Sequence, residues 1–181
     1  KNIFSKAIEL DPNNLEALDG MGEIASVSDT PHAALPIYAK ILHLDPENIN
    51  ALNNRGIHLM SMGDAEASEF SFRKLLKIAP EDIDGLNNLG TNLLQQKRFD
   101  EAVEPLNKAI QLAPDSPQAY YNRGVVIMQA TPEDYQAALK FFDEAIKIEP
   151  KHTSAHVNIA SIYTSNQYPK KAIWHLDKAL L

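Results

Sequence analysis

Prolines recur along this 181-residue chain at a nearly fixed interval. Pro12, Pro46, Pro80 and Pro114 are 34 residues apart, and Pro150 follows after 36. Each one follows a short apolar segment with the character of a helix, and proline cannot continue the interior of a helix. A period of this length is typical of helix-turn-helix repeats, in which each repeat buries its apolar face against its neighbours. The sequence therefore predicts a repeat array whose function is carried by a surface shared between repeats.

Three further columns of residues keep the same spacing. The first holds residues with little or no side chain: Gly22, Gly56, Gly90, Gly124 and Ala160. A second small column contains Ala34, Ser68, Ala102, Ala138 and Ala172, and a bulky column contains Tyr38, Phe72, Leu106, Phe142 and Leu176. Small residues allow two helices to approach closely, so each repeat should contain two packed helices. The first helices are predicted near residues 15–27, 49–62, 83–96, 117–130 and 153–165.

With glycine, alanine, aromatic and proline columns kept over five turns of the period, the chain resembles the tetratricopeptide repeat family. The resemblance covers nearly the whole chain. It implies an all-α fold, a right-handed superhelical solenoid of helix-turn-helix repeats, formed as a single array over residues 1–181. The predicted repeats are a partial one at 1–14, full ones at 15–48, 49–82, 83–116 and 117–152, and an incomplete final one at 153–181.

The family's arrangement places the first helix of each repeat along a concave groove. Transferred by position, the predicted peptide-binding residues are Asn53, Asn54, Asn87, Asn88, Tyr121, Asn122, Val125 and Asn158. Four of them, which we call the asparagine ladder, occupy one column: Asn54, Asn88, Asn122 and Asn158. A carboxamide both donates and accepts hydrogen bonds, so the ladder could hold the backbone of an extended peptide whatever its side chains. The alternative is that these asparagines bond neighbouring helices to one another.

The predicted groove contains no lysine or arginine, and its first repeat is acidic, with Glu16, Asp19 and Glu23. Related domains that hold chaperone tails use a clamp of basic residues, because charge-assisted bonds to a carboxylate need cations. That mode of binding is therefore not expected. Partner segments should instead carry Lys or Arg where they meet these three acids. A net charge of −7 without a dense basic stripe also argues against nucleic acid.

The residues offer no recognisable chemistry of their own. The chain has no cysteine, and His152 and His156 lack a third ligand nearby, so neither a metal site nor a cofactor is predicted. His156 stands in a column otherwise held by leucine and tyrosine, so packing between helices is its expected role. No phosphate-binding glycine loop and no nucleophile with a base at recognisable spacing is present. The chain is therefore predicted not to be an enzyme.

No apolar run approaches the roughly 18 to 20 residues that a membrane span requires. No signal peptide is visible either. The expectation is a soluble protein, with the cytoplasm as the favoured compartment.

The favoured function is a scaffold for protein–protein interaction that binds an extended peptide segment of a partner in the asparagine-lined groove. Two alternatives stay open. The array could be the arm of a larger enzyme, such as an O-GlcNAc-transferase-like glycosyltransferase, whose repeats are also lined with asparagine. It could instead self-associate head to tail. Residues 1–50 carry 8 acidic and 3 basic side chains, whereas residues 151–181 carry 1 and 4, and the last helix is rich in apolar residues.

Overall fold

The computed structural model describes residues 3–26 and 33–180, and within these ranges every regular element is a helix. The helices are α1 (Ile3–Leu10), α2 (Leu15–Ser26), α3 (Ala34–Leu44), α4 (Ile49–Ser61), α5 (Ala65–Ile78), α6 (Ile83–Gln95), α7 (Phe99–Leu112), α8 (Pro117–Ala130), α9 (Tyr135–Ile148), α10 (Thr153–Ser165) and α11 (Pro169–Ala179). A 3₁₀ turn at Pro132–Asp134 precedes α9. The predicted all-α helical repeat fold is confirmed.

The five predicted first helices are α2, α4, α6, α8 and α10. Each begins at the predicted residue, and each observed end lies within one residue of the predicted end. The turn between α2 and α3 lies outside the described residues. The repeat boundaries, the single array and the right-handed superhelix stay predictions.

Local sequence explains where these helices begin and end. Asn48 and Asp64 are the N-caps of α4 and α5, and their side-chain oxygens accept hydrogen bonds from the backbone N–H groups of Ala51 (2.9 Å) and Ala67 (3.2 Å). These bonds satisfy donors that have no partner inside the helix. The turn after α4 contains Gly63 with a φ of 81°, which is a left-handed conformation that glycine adopts without steric strain.

The same turn recurs without glycine. Lys97 after α6 and Gln167 after α10 have φ values of 59° and 63°. In each case the next residue donates its N–H back to the helix, Arg98 to the carbonyl of Leu93 and Tyr168 to that of Tyr163. These bonds close the helix ends and hold two non-glycine residues in a conformation that is uncommon for them.

The chain divides into two compact units, Lys1–Asn92 and Leu93–Leu181, which we call the N-terminal and C-terminal units. The hydrophobic core of the N-terminal unit includes Leu18, Ala25, Ala34, Tyr38, Ile41 and Ala51. The core of the C-terminal unit includes Val125, Ala138, Leu139, Phe142, Ala145, Ala155, Ile159 and Ile162. Each core joins first and second helices of the repeats within its own unit.

The column glycines lie directly against the bulky residues of the same repeats. A Cβ built on Gly56 would lie 2.5 Å from Cε1 of Phe72, and one on Gly124 would lie 2.7 Å from Cε1 of Phe142. Gly22 has the same relation to Tyr38, at 2.8 Å. The three rings are fully buried. Real Cβ atoms do not approach other atoms this closely, so a side chain at these glycines would force the ring to move. The expected close contact is confirmed at these positions.

Two buried histidines join α10 to α11 in the C-terminal unit. Nδ1 of His156 lies 2.9 Å from Nδ1 of His175, and Nε2 of His156 lies 3.1 Å from the carbonyl oxygen of Pro150. Because a carbonyl can only accept, Nε2 of His156 carries the proton, and its Nδ1 accepts from the Nδ1–H of His175. His156 is only 2% exposed, so its predicted packing role is confirmed. Its pairing with His175 was not predicted.

Shrinking the ring that faces a glycine should relieve the effect of adding a side chain there. We expect Gly56→Ala to lower the free energy of unfolding by about 1 kcal/mol, because overpacking outweighs the gain in helix propensity. The double variant Gly56→Ala/Phe72→Leu should lose less than the sum of its two single variants in urea denaturation. Phe70→Leu is the matched control, since Phe70 is on the same helix but 65% exposed. Strictly additive losses with Phe72→Leu would contradict the contact.

The histidine pair predicts a pH-dependent stability. Burial, and secondarily the neighbouring His156, lower the pKa of His175 to about 4. The unfolded chain, with an ordinary histidine pKa of about 6.5, then binds the proton more readily. The stabilisation is therefore complete above pH 6.5 and is lost as the pH falls from about 6.5 to 4, by on the order of 2 to 3 kcal/mol.

The single tryptophan gives a local readout of this effect. The rings of Trp174 and His175 have centroids 4.7 Å apart, so tryptophan fluorescence during urea denaturation reports on the α10–α11 pair. His175→Gln should flatten the pH dependence of stability between pH 6.5 and 4, whereas His43→Gln, at an exposed histidine, should not. Burial also lowers the pKa of His58, so the difference between variants is the test. An unchanged slope in His175→Gln would refute the assignment.

Candidate functional site

In the N-terminal unit the predicted groove residues lie on α4 and α6, and two of them are directly bonded. The side-chain nitrogen Nδ2 of Asn88 donates to Oδ1 of Asn53 over 2.8 Å. Asn53, Asn54 and Asn88 are half-buried, whereas Asn87 is 7% exposed. The structure therefore brings carboxamides from neighbouring repeats together and leaves part of three of them accessible.

In the C-terminal unit the predicted residues lie on α8 and α10. Nδ2 of Asn158 lies 3.3 Å from the hydroxyl oxygen of Tyr121 and donates to it. Asn122 is 3% exposed, and its Oδ1 accepts a hydrogen bond of 2.9 Å from Nε2 of Gln118. Val125 is 7% exposed and belongs to the hydrophobic core. Asn122 and Val125 therefore present much less surface than the groove positions predicted from sequence would.

The two observed bonds follow one rule. The donor is an asparagine of the ladder, and the acceptor is the residue one position before the ladder column in the preceding repeat. Bonding between helices, the alternative considered for the ladder, thus occurs at Asn88 and Asn158. A carboxamide has two N–H donors and an oxygen with two lone pairs, so one such bond leaves capacity for a ligand.

Tyr121 is also fixed from a second side. Its ring lies against that of His152, with the centroids 4.9 Å apart, and against that of Phe142, at 5.9 Å. His152 is itself held as the N-cap of α10, because its Nδ1 accepts from the backbone N–H of Ala155. The half-buried Tyr121 is therefore ordered before any ligand arrives.

A buried polar cluster in the N-terminal unit was not predicted from the sequence. Oγ of Ser26 lies 2.8 Å from the hydroxyl of Tyr38 and 2.7 Å from Nε2 of His58. A serine and a histidine at this distance resemble a nucleophile and its base. However, Ser26 donates its only proton to the carbonyl of Gly22, so His58 and Tyr38 must both donate to Ser26. The arrangement cannot take a proton from Ser26, and it links α2, α3 and α4 structurally.

Electrostatics and helix composition add two observations. Among the described residues, no three histidine, aspartate or glutamate side chains are grouped so that they could hold a metal ion. None of the helices within residues 3–26 and 33–180 has both the length and the apolar character to cross a membrane.

Comparison with known proteins identifies two stretches of the chain. Residues 49–82 match a sequence model described as tetratricopeptide repeat, and residues 90–130 match one described as TPR repeat. No curated protein sequence matches the chain. Many solved structures do match it.

Three of these structures show the range of similarity. YrrB, described as a TPR protein with an unusual peptide-binding site, is 25% identical with a TM-score of 0.71, over 99% of this chain and 91% of YrrB. MamA from Desulfovibrio magneticus RS-1 is 20% identical with a TM-score of 0.76, over 92% and 93%. Pseudomonas aeruginosa pilF is 22% identical with a TM-score of 0.80, over 92% and 75%.

The repeat fold and these matches support a protein–protein interaction scaffold, which is generally a non-catalytic role. The periodic columns, the paired helices and the matched repeats lead to one conclusion. The chain belongs to the tetratricopeptide repeat family.

Proposed function

We propose that the chain binds an extended segment of a partner protein and that the asparagine ladder hydrogen-bonds to the backbone of that segment. The observation that carries the proposal is the Asn88–Asn53 bond, together with the partial exposure of both side chains. The bond orders two carboxamides without using all their donors and acceptors. Groups that are ordered in advance lose less conformational entropy when a ligand binds.

Exposed apolar side chains accompany the ladder. Ile57 is three residues after Asn54 on α4 and is 38% exposed, and Val157 directly precedes Asn158 on α10 and is 44% exposed. A single hydrogen bond contributes only about 0.5 to 1.5 kcal/mol, so apolar contacts are needed for useful affinity. Burial of these residues by a ligand would supply such contacts.

The comparisons support a peptide ligand in general terms. YrrB, whose fold is similar over 99% of this chain, is described as having a peptide-binding site. Neither its ligand nor the position of its site is carried over. The proposal for this chain depends on its own carboxamides.

Removing two half-buried ladder amides should weaken binding with little effect on the fold. We expect Asn54→Ala/Asn88→Ala to reduce affinity about tenfold, because roughly one hydrogen bond per residue is lost. The measurement is fluorescence anisotropy with peptides selected on the intact chain from a random 12-residue library. Gln136→Ala, which removes an exposed amide on the second helix α9, is the control. Equal affinity of the double variant would assign the ladder to helix packing alone. Asn122 is unsuitable for this test because it is buried.

Head-to-tail self-association is a second candidate, favoured by the exposure of apolar residues on and after α11. Ile173 is 58% exposed, Trp174 53% and Leu180 86%, with Lys170, Lys171 and Lys178 nearby. We expect mass measured by light scattering to rise with concentration, and Leu180→Glu to prevent the rise, because a charge would be buried in the contact. A constant monomer mass at low and high salt would exclude self-association. The role of an arm in a larger enzyme stays a prediction from the sequence.

A further inference from the structure

The residues one position before the ladder form a second column of polar groups, which we call the acceptor column. In the N-terminal unit it contains Asp19, Asn53 and Asn87. Only the middle member has its side-chain oxygen paired, through the bond from Asn88. Oδ1 of Asp19 and Oδ1 of Asn87 are both buried, and neither has a hydrogen-bond partner among the described residues.

The open position at Asp19 has an identifiable cause. By the rule seen at Asn88, the ladder residue Asn54 would donate to Asp19. Asn54 instead interacts by hydrogen bonding with the hydroxyl of Tyr38. Phe72, which occupies the column of Tyr38 in the next repeat, has no hydroxyl, so Asn88 is available to Asn53. One oxygen atom in the aromatic column therefore decides which acceptor is left open.

Both open positions require a donor. A buried oxygen without a hydrogen bond costs about 1 to 3 kcal/mol, and more when it belongs to a charged group. Asn87 is more than nine-tenths buried, so its oxygen is poorly placed for bulk water. Asp19 lies on α2 with Glu16 and Glu23, and nearby Asp19 and Glu23 contribute to raising the pKa of Tyr38 after the larger effect of burial. The field at Asp19 is therefore negative, and a cation is the donor that it favours.

We propose, building on the proposed function, that the partner segment is basic: a Lys or Arg side chain donates to Asp19, and an N–H group of the same segment donates to Asn87. Asn53, already paired, contributes less to selectivity. The ligand class is thus an extended peptide with one cationic side chain at a defined position.

Helix packing sets the spacing of these two contacts. Within the N-terminal unit, α2 and α4 are joined by the Ser26–His58 bond of 2.7 Å, and α4 and α6 by the Asn53–Asn88 bond of 2.8 Å. Packed helices lie about 8 to 10 Å apart, so Asp19 and Asn87 are separated by roughly 16 to 20 Å. An extended chain covers this distance in about five or six residues. The basic residue should therefore lie five or six positions from the residue that contacts Asn87.

The test uses the same random 12-residue peptide library, selected on the intact chain and on Asp19→Asn. The intact chain should enrich Lys or Arg at one position of the selected peptides, and Asp19→Asn should abolish that enrichment. Replacing the enriched basic residue with norleucine should weaken binding to the intact chain about tenfold and to Asp19→Asn less than twofold. Glu66→Gln removes the same charge from an exposed position on α5 and should keep the enrichment.

Two further variants separate the possible failures. Tyr38→Phe should release Asn54 to pair with Asp19 and weaken the basic preference, and Asn87→Leu should weaken binding of every selected peptide; urea denaturation verifies that both fold. Peptides that depend on Asn88 but show no basic preference would overturn this proposal and leave the proposed function standing. Selection of no peptide that depends on Asn88 would overturn both. A basic preference equally strong in Asp19→Asn would assign it to general attraction and overturn the role of Asp19.

Discussion

The contact between a glycine on the first helix and a buried ring on the second is the interaction on which the other features depend. It is observed as Gly22 against Tyr38, Gly56 against Phe72 and Gly124 against Phe142. A missing side chain lets the two helices approach until ring carbons lie where a Cβ would be. Once that face of the first helix is buried, its rotation about its own axis is determined. Residues two positions before the glycine lie about 200° around the helix, so the ladder must occupy the opposite side.

The ladder's two possible roles are not mutually exclusive. Asn88 and Asn158 each donate one bond to the preceding repeat, and each retains further hydrogen-bonding capacity. A bond between repeats orders the carboxamide, and an ordered carboxamide is a better ligand contact than a mobile one. Asn122 shows the other extreme, since it is 3% exposed and serves mainly within the protein. Equivalent positions in a repeat array can therefore differ in function although the residue is the same.

Polar groups within the helix pairs distinguish repeats that have similar apolar cores. Tyr38 and Phe72 fill the same volume, but only Tyr38 bonds to Ser26 and interacts with Asn54. His156 fills a column of larger apolar residues and gains a partner, His175, that couples the stability of the last helix pair to pH. Substitutions of similar volume preserve the packing while changing which hydrogen bonds can form.

The sequence by itself determined the helical repeat, the first residue of every first helix, the glycine contacts and the packing role of His156. These features follow from local periodicity, capping and proline positions, which act within one repeat. Only the tertiary structure decided that Asn122 and Val125 are nearly buried, that His175 pairs with His156, and that Asp19 and Asn87 have open oxygens. Each of these depends on which side chain of another helix reaches a given atom. The residue type in a column does not specify that, because an amide, a hydroxyl or an imidazole can satisfy several neighbours and bonds to only some of them.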